Sequence, residues 1–252
     1  SQGANISTTL NAAAQKAAVK ALGGKQGAVV AMDYTTGEIL APASTPTYDP
    51  TRLSTVDLTA SQNSWAELLE ASGEPLKNRA TREVYPPGST FKLVTAAAAL
   101  EDGMVPDSQV DAPNSLRLPN SSRSIGNSTN CGGTRISLQQ ALLTSCNTAF
   151  ANVGLDLGAD RLQEMAEAFG FNQEQTIDIS AATSRFPDEM DEAQTALSAI
   201  GQYDVAASPL QIVQVAAAIA NDGVMMKPYL VSTVTNRDLT VLSSTTPEVL
   251  RT

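Results

Sequence analysis

The order of strand-forming and helix-forming stretches in this chain predicts an α+β fold, with helices packed on an antiparallel sheet. Three observations carry that expectation. The stretch "GAVVAMDYTTGEILAPAS" sets two β-prone runs around the turn Tyr34-Thr35-Thr36-Gly37, which predicts a hairpin of Gly27 to Met32 against Glu38 to Ala43. A long middle carries alanine and leucine at helical spacing, and "PYLVSTVTNRDLTVLSS" then returns to strand formers, enough for one or two strands.

"ANISTTLNAAAQKAAVKALGG" opens extended, turns helical from about Asn11 to Leu22 and stops at a double glycine. Residues 44 to 84 mix proline and polar residues around one short helical patch, Trp65 to Glu70, and read as a long surface excursion. Loops of that length border functional sites. A helix runs from Ser89 to about Asp102, and residues 106 to 133 fall back to proline, serine, asparagine and glycine. "ISLQQALLTSCNTAFANVGLDLG", "ADRLQEMAEAFGF" and "SPLQIVQVAAAIANDG" are helical. No internal repeat is present.

The chain has 252 residues, 42% of them hydrophobic, which is enough for a substantial core. Its net charge is -10 with no basic stretch, and aromatic residues make up only 4%, so a nucleic-acid groove is excluded. No run of about 18 apolar residues marks a membrane span, and "SQGANISTTL" has no signal-peptide pattern. The sequence contains no histidine. That removes the common serine triad and most catalytic zinc sites, so no metal or cofactor is expected and an activated serine must find another base. Lysine is the obvious one. Cys131 and Cys146 are too few for a disulfide-built fold, leaving either a single bridge or two free thiols.

"YPPGSTFKLVTAAAALEDG" puts Ser89 three residues ahead of Lys92 where a turn becomes an alanine-rich helix. Positions i and i+3 share a helix face, which brings the amine within reach of the hydroxyl. The helix start favours negative charge, as an alkoxide or acyl oxyanion requires. For Lys92 to act as base its pKa must fall from about 10.4 toward neutrality, a change of about 4 kcal/mol expected from burial among "LVTAAAAL" together with a second nearby cation. The bland alternative is a serine cap followed by a surface lysine. Proline-proline-glycine ahead of the serine fixes the approach of the chain and weighs against it.

"NRATREVYPPGSTFK" resembles the active-site signature of class B penicillin-binding proteins, the serine transpeptidases that cross-link peptidoglycan. The resemblance continues through "NISTTLNAAAQKAAVKAL", "GAVVAMDYTTGEILAPASTPTYDP" and "IGQYDVAASPLQIVQVAAAIANDGVMMKPYLV", nearly the whole chain. It implies the penicillin-recognising serine transpeptidase fold, of β-lactamase/transpeptidase-like type. It also implies one transpeptidase domain over 1-252, with a linker and first helix in 1-26 and a catalytic core in 27-252.

That family uses three motifs, of which Ser-x-x-Lys is the first. The resemblance makes Ser89 the nucleophile and Lys92 the general base. The second motif, Ser-x-Asn, has three matches: Ser61 with Asn63, Ser128 with Asn130, and Ser145 with Asn147. Ser145-Cys146-Asn147 lies between two helical runs, similar to the family's pattern, and the other two sit in polar stretches read as irregular. The resemblance gives Ser145 a proton-relay role and Asn147 a substrate-binding role. A helix cap is the alternative. The third motif, Lys-Thr/Ser-Gly, is absent: Lys25 is followed by Gln26-Gly27 and Lys227 by Pro228-Tyr229. In the family it lies on a downstream strand that gives one oxyanion-hole donor, so the chain is expected to be truncated at the C-terminus and to acylate poorly or not at all. Loss of one such donor costs roughly 10²- to 10³-fold in rate.

The same resemblance implies an extracytoplasmic site beside a cell membrane, reached through an N-terminal anchor not in this sequence. An oxidising exterior favours a Cys131–Cys146 disulfide, worth about 3 kcal/mol for a loop of that size. A buried Cys146 with Cys131 free is the alternative. "IGQ" at 200 to 202 reads as pocket floor or as a turn leading into a helix. Asp188 to Glu192 reads as a solvated face, and Trp65 and Tyr85 as cleft mouth or packing. The implied partners are peptidoglycan stem peptides, β-lactam antibiotics and a glycan-polymerising cell-wall protein. The implied activity is D,D-transpeptidation through an acyl-serine. A serine β-lactamase or D,D-carboxypeptidase, and a non-catalytic β-lactam sensor or cell-wall assembly scaffold, are the alternatives.

Overall fold

The computed structural model describes residues 3–175 and 177–252. In chain order the elements are strand β1 (Asn5–Thr8), helix α1 (Ala12–Leu22), strands β2 (Gly27–Met32) and β3 (Ile39–Thr45), and helices α2 (Leu58–Glu70) and α3 (Arg79–Arg82). A 3₁₀ turn, Gly88–Phe91, then runs into α4 (Lys92–Glu101). Short strands follow, β4 (Gln109–Asp111), β5 (Ser115–Arg117), β6 (Ser124–Gly126) and β7 (Arg135–Ser137), and then α5 (Leu138–Leu143), α6 (Asn147–Ala168), α7 (Glu192–Ser198) and α8 (Pro209–Ala220). Strands β8 (Met225–Met226), β9 (Val231–Thr235), β10 (Val241–Ser244) and β11 (Val249–Arg251) complete the chain. Two compact units divide these elements.

The first unit holds the described residues of Ser1–Val84, Thr176–Ala182 and Ser208–Thr252. β2 and β3 form the predicted antiparallel hairpin. At its turn the Asp33 carboxylate accepts from the Thr35 amide at 2.9 Å, and Gly37 takes a φ of +88° where a side chain would run into the Lys227 carbonyl. β3 alternates strictly: Ile39, Ala41, Ala43 and Thr45 point inward. Ala41 and Ala43 pack beneath Ala14, Ala18 and Leu22 of α1, whose first turn is capped by Asn11. Ile39 packs with Leu210 of α8 and with Leu230. A second antiparallel sheet has the order β1-β9-β10, and β11 pairs with β8. The stretch read as a loose excursion is more ordered than expected. Asp57 accepts from the Thr59 and Ala60 amides, so α2 starts at Leu58 rather than Trp65. Arg79, fully buried, donates to the Gly73 and Glu74 carbonyls and pairs with Glu83 at 3.0 Å, which satisfies its charge.

The second unit, Tyr85–Gln175 with Thr183–Ala207, holds more helix than strand. Its core joins Ala96 and Ala99 of α4, Ala149, Phe150 and Val153 of α6, and Ile200. Phe91 stacks on Phe186 at 5.4 Å and meets Phe171 edge-on at 5.5 Å, anchoring the 3₁₀ turn. Gly154 lets α6 and α7 close together: a side chain there would overlap Ala199. α6 breaks at Gly158 (φ 80°, ψ 168°), between the two stretches that read as separate helices. The region read as irregular, 106 to 133, contains β4, β5 and β6: β5 pairs with β6, and β4 pairs with β7 just beyond the region. α7 was not expected at all. Asp191, read as part of a solvated acidic face, caps it through a reciprocal bond with Gln194.

Candidate active site

Ser89 lies in the 3₁₀ turn rather than in the α-helix proper, and Lys92 is the first residue of α4. Neither element has a side-chain cap, so Ser89 is exposed and is not serving as one. The turn is held from outside. The Gly88 amide donates to the Gly201 carbonyl at 2.9 Å, and a side chain on Gly201, whose φ is +71°, would collide with the Gly88 backbone. The "IGQ" stretch therefore seats the turn that carries Ser89.

Lys92 is 1% exposed. Its Nζ lies 3.1 Å from Ser89 Oγ, 3.0 Å from Ser145 Oγ, 2.6 Å from the Ser145 carbonyl and 2.7 Å from Asn147 Oδ1. Burial by itself pushes the amine down to about 8, and the second cation expected beside it makes no contribution among the described residues. The Phe150 ring stands 5.9 Å away, at the outer limit for a cation–π contact. The carbonyl and the amide oxygen only accept, so they take two N–H bonds and leave the remaining valence of the nitrogen facing the two hydroxyls. In an ammonium that valence is a third N–H; in a neutral amine it is a lone pair able to accept the Ser89 proton. The shell thus accommodates both protonation states.

Ser145 and Asn147 reach this nitrogen from the junction of α5 and α6. Ser145 has a φ of +53°, and in that left-handed conformation both its carbonyl and its hydroxyl face Lys92. Asn147 donates through Nδ2 to the Gly126 carbonyl at 3.0 Å, which turns Oδ1 toward Lys92. Cys146, between them and fully buried, forms a disulfide with Cys131.

Of the three Ser-x-Asn matches, only Ser145 with Asn147 meets Lys92. Ser61 and Asn63 lie on α2 in the other unit, a helix rather than an irregular stretch, and Asn130 caps its own loop by accepting from the Gly132 amide. Trp65, on α2, is 48% exposed; Tyr85 pairs with Ala207 through an isolated antiparallel bridge.

The profile of the penicillin binding protein transpeptidase domain matches residues 27–251. This chain belongs to that family. Two curated members make the likeness concrete. The chain is 45% identical over 256 residues to peptidoglycan D,D-transpeptidase PbpA of Mycolicibacterium smegmatis, covering 98% of this chain and 52% of that protein. It is 33% identical over 240 residues to peptidoglycan D,D-transpeptidase MrdA of Escherichia coli, covering 90% and 37%. The penicillin G acyl-enzyme complex of penicillin-binding protein A from M. tuberculosis superposes with a TM-score of 0.95 at 39% identity, over 99% of this chain and 60% of that one. The chain spans about half the length of the curated transpeptidase-family relatives it matches first. Among the described residues, no helix is long and apolar enough to cross a membrane.

Proposed function

We propose that this chain performs the acyl-transfer chemistry of a peptidoglycan D,D-transpeptidase. One observation carries the reading: a buried lysine nitrogen, with its pKa lowered to about 8, sits between two serine hydroxyls at 3.1 and 3.0 Å. Ser89 Oγ attacks the carbonyl of the penultimate D-alanine of a stem peptide, and its proton passes to Lys92 Nζ. The C–N bond to the terminal D-alanine breaks, and Ser145 relays a proton to the departing amine. Asn147 orients the substrate amide. The amine of a second stem peptide then attacks the acyl-serine, which restores Ser89 and closes the cross-link. A β-lactam enters the same first step and its opened ring stays on Ser89.

The relatives' names and the acyl-enzyme neighbour support this reading. So does the mutual geometry of nucleophile and base, which meets the usual reach for proton transfer. The proposed setting is the outer face of a cell membrane, with stem peptides as substrates. The proposed partner is a glycan-polymerising protein; a neighbour with a TM-score of 0.85 at 28% identity is described as a peptidoglycan synthase complex coordinating polymerization and crosslinking.

The test is intact-mass spectrometry after incubation with benzylpenicillin, with Ser89→Ala as control. A stable adduct absent from the control is expected. The sequence holds no Lys-Thr-Gly or Lys-Ser-Gly, so labelling should be slower than in a chain carrying that strand by roughly 10²- to 10³-fold, and the incubation must be long. No Ser89 adduct in either chain would refute the reading.

A further inference from the structure

The N-cap position of α6 is occupied by a half-cystine. Cys146 makes no capping bond, so the first amides of a helix that begins with Asn147 need acceptors from elsewhere. The chain supplies one across the fold. Asn127, just past β6, accepts the Thr148 amide on its Oδ1 at 3.0 Å. The Nδ2 of the same side chain donates to Thr148 Oγ1 at 3.0 Å and to the Pro113 carbonyl at 3.2 Å. Thr148, fully buried, in turn donates from Oγ1 to that Pro113 carbonyl at 2.7 Å. Both donors and the acceptor of the Asn127 amide are used. A reversed amide would aim its NH₂ at the Thr148 N–H, so the chemistry allows only this orientation.

The preceding residue makes the second rung of the same ladder. The Gly126 carbonyl accepts Asn147 Nδ2, and the opposite end of that planar amide, Oδ1, touches Lys92 Nζ at 2.7 Å. Residues 126 and 127 thus grip 147 and 148 side by side. The two bonds leave adjacent residues of one strand end and reach adjacent residues of one helix start.

We propose that Asn127 is a positioning residue for acylation: by capping α6 from the β5–β6 hairpin, it fixes the amide plane of Asn147 against the Lys92 nitrogen. The inference rests on the catalytic reading of Ser89 and Lys92 above. Asn127 touches none of the reacting atoms and acts through Asn147. Misplacement of a catalytic group by about 1 Å costs on the order of 10²-fold in rate, so loss of the grip should be read in the acylation rate and not in stability alone.

The experiment compares Asn127→Ala, Asn147→Ala, the double variant, and Asn152→Ala. Asn152 also ties α6 to the neighbouring strands, through the Asp111 carbonyl at 2.8 Å, but one turn beyond the site. Benzylpenicillin acylation of Ser89 and thermal melting are measured for each. Asn127→Ala should slow acylation about 10- to 100-fold and Asn152→Ala by less than about twofold. In the double variant, acylation should be no slower than in Asn147→Ala, while the melting temperature falls further. That non-additivity in rate is what a merely structural residue would not produce. Acylation of Asn127→Ala within about twofold of wild type, or rate losses that multiply in the double variant, would overturn the proposal. If wild type forms no Ser89 adduct, the catalytic reading fails by itself, and ¹⁵N spectra still decide the positioning claim. Loss of the single ordered Asn147 side-chain NH₂ signal in Asn127→Ala upholds it, and retention of that signal overturns it.

Discussion

Raising the pH from 7 to 9 should speed acylation of Ser89 about tenfold and then level off. The size follows from Lys92. With its amine at about 8, the neutral fraction is about 10% at pH 7 and about 90% at pH 9. An ordinary lysine near 10.5 would be neutral in only about 0.03% of molecules at pH 7, would gain about 100-fold by pH 9 and would still be climbing. The assay is the second-order rate constant for benzylpenicillin at closely spaced pH values, scored by intact mass with Ser89→Ala to subtract spontaneous drug loss. A midpoint near 8 is expected. A rate that keeps rising tenfold per pH unit beyond 9, or one flat from 7 to 9, would refute the argument that burial prepares the base. Stability supplies a second check with its own sign. The folded value lies below the unfolded one, so the unfolded chain binds the extra proton between pH 8 and 10.5. Folding therefore carries a penalty of about 3 kcal/mol below that window, which disappears as the pH rises through it.

Other perturbations separate packing from chemistry. Gly201→Ala should destabilise by about 1–3 kcal/mol, because it adds a side chain at a φ of +71° against the Gly88 backbone, and should slow acylation by displacing the Ser89 turn; melting and labelling read both. Ser145→Gly should move the two readouts apart: relief of the left-handed backbone holds or raises the melting temperature by the equivalent of about 1 kcal/mol, while acylation falls about 10²-fold with the lost relay hydroxyl. Reduction of the Cys131–Cys146 bridge, which closes a 15-residue span, should cost about 3 kcal/mol, seen as a drop in melting temperature with added reductant that a Cys131→Ser/Cys146→Ser variant does not show.

Local spacing made Ser89 and Lys92 legible, since the distance between positions i and i+3 is set by backbone geometry alone. The hairpin and α1 were legible for a similar reason: their turn and cap residues are contiguous. Ser145 and Asn147 were a harder case. Their pattern occurs three times, and choosing among them needed several sequence blocks in order, because only tertiary structure brings one copy to Lys92. β4 to β7 have three residues each, too few for a two-residue period to register, and their polar faces resemble loop. The Asp191-x-x-Gln194 cap of α7 was written in the sequence but masked by the acidic residues around it. "IGQ" marked Gly201 as part of a turn but not its partner Gly88, and Asn127 carried no local signal, since each acts on a segment far away in sequence.

The backbone at Ser145 also restricts which alphabet the second motif can use. Threonine offers the same hydroxyl, and on chemical grounds alone the two alcohols would be interchangeable. At a φ of +53° the branched Cβ of threonine meets its own backbone, and such residues are genuine outliers in that region. Drift from one alcohol to the other, common on protein surfaces, is therefore closed at this position, because the bend that turns both Ser145 oxygens toward Lys92 rejects a second substituent on Cβ.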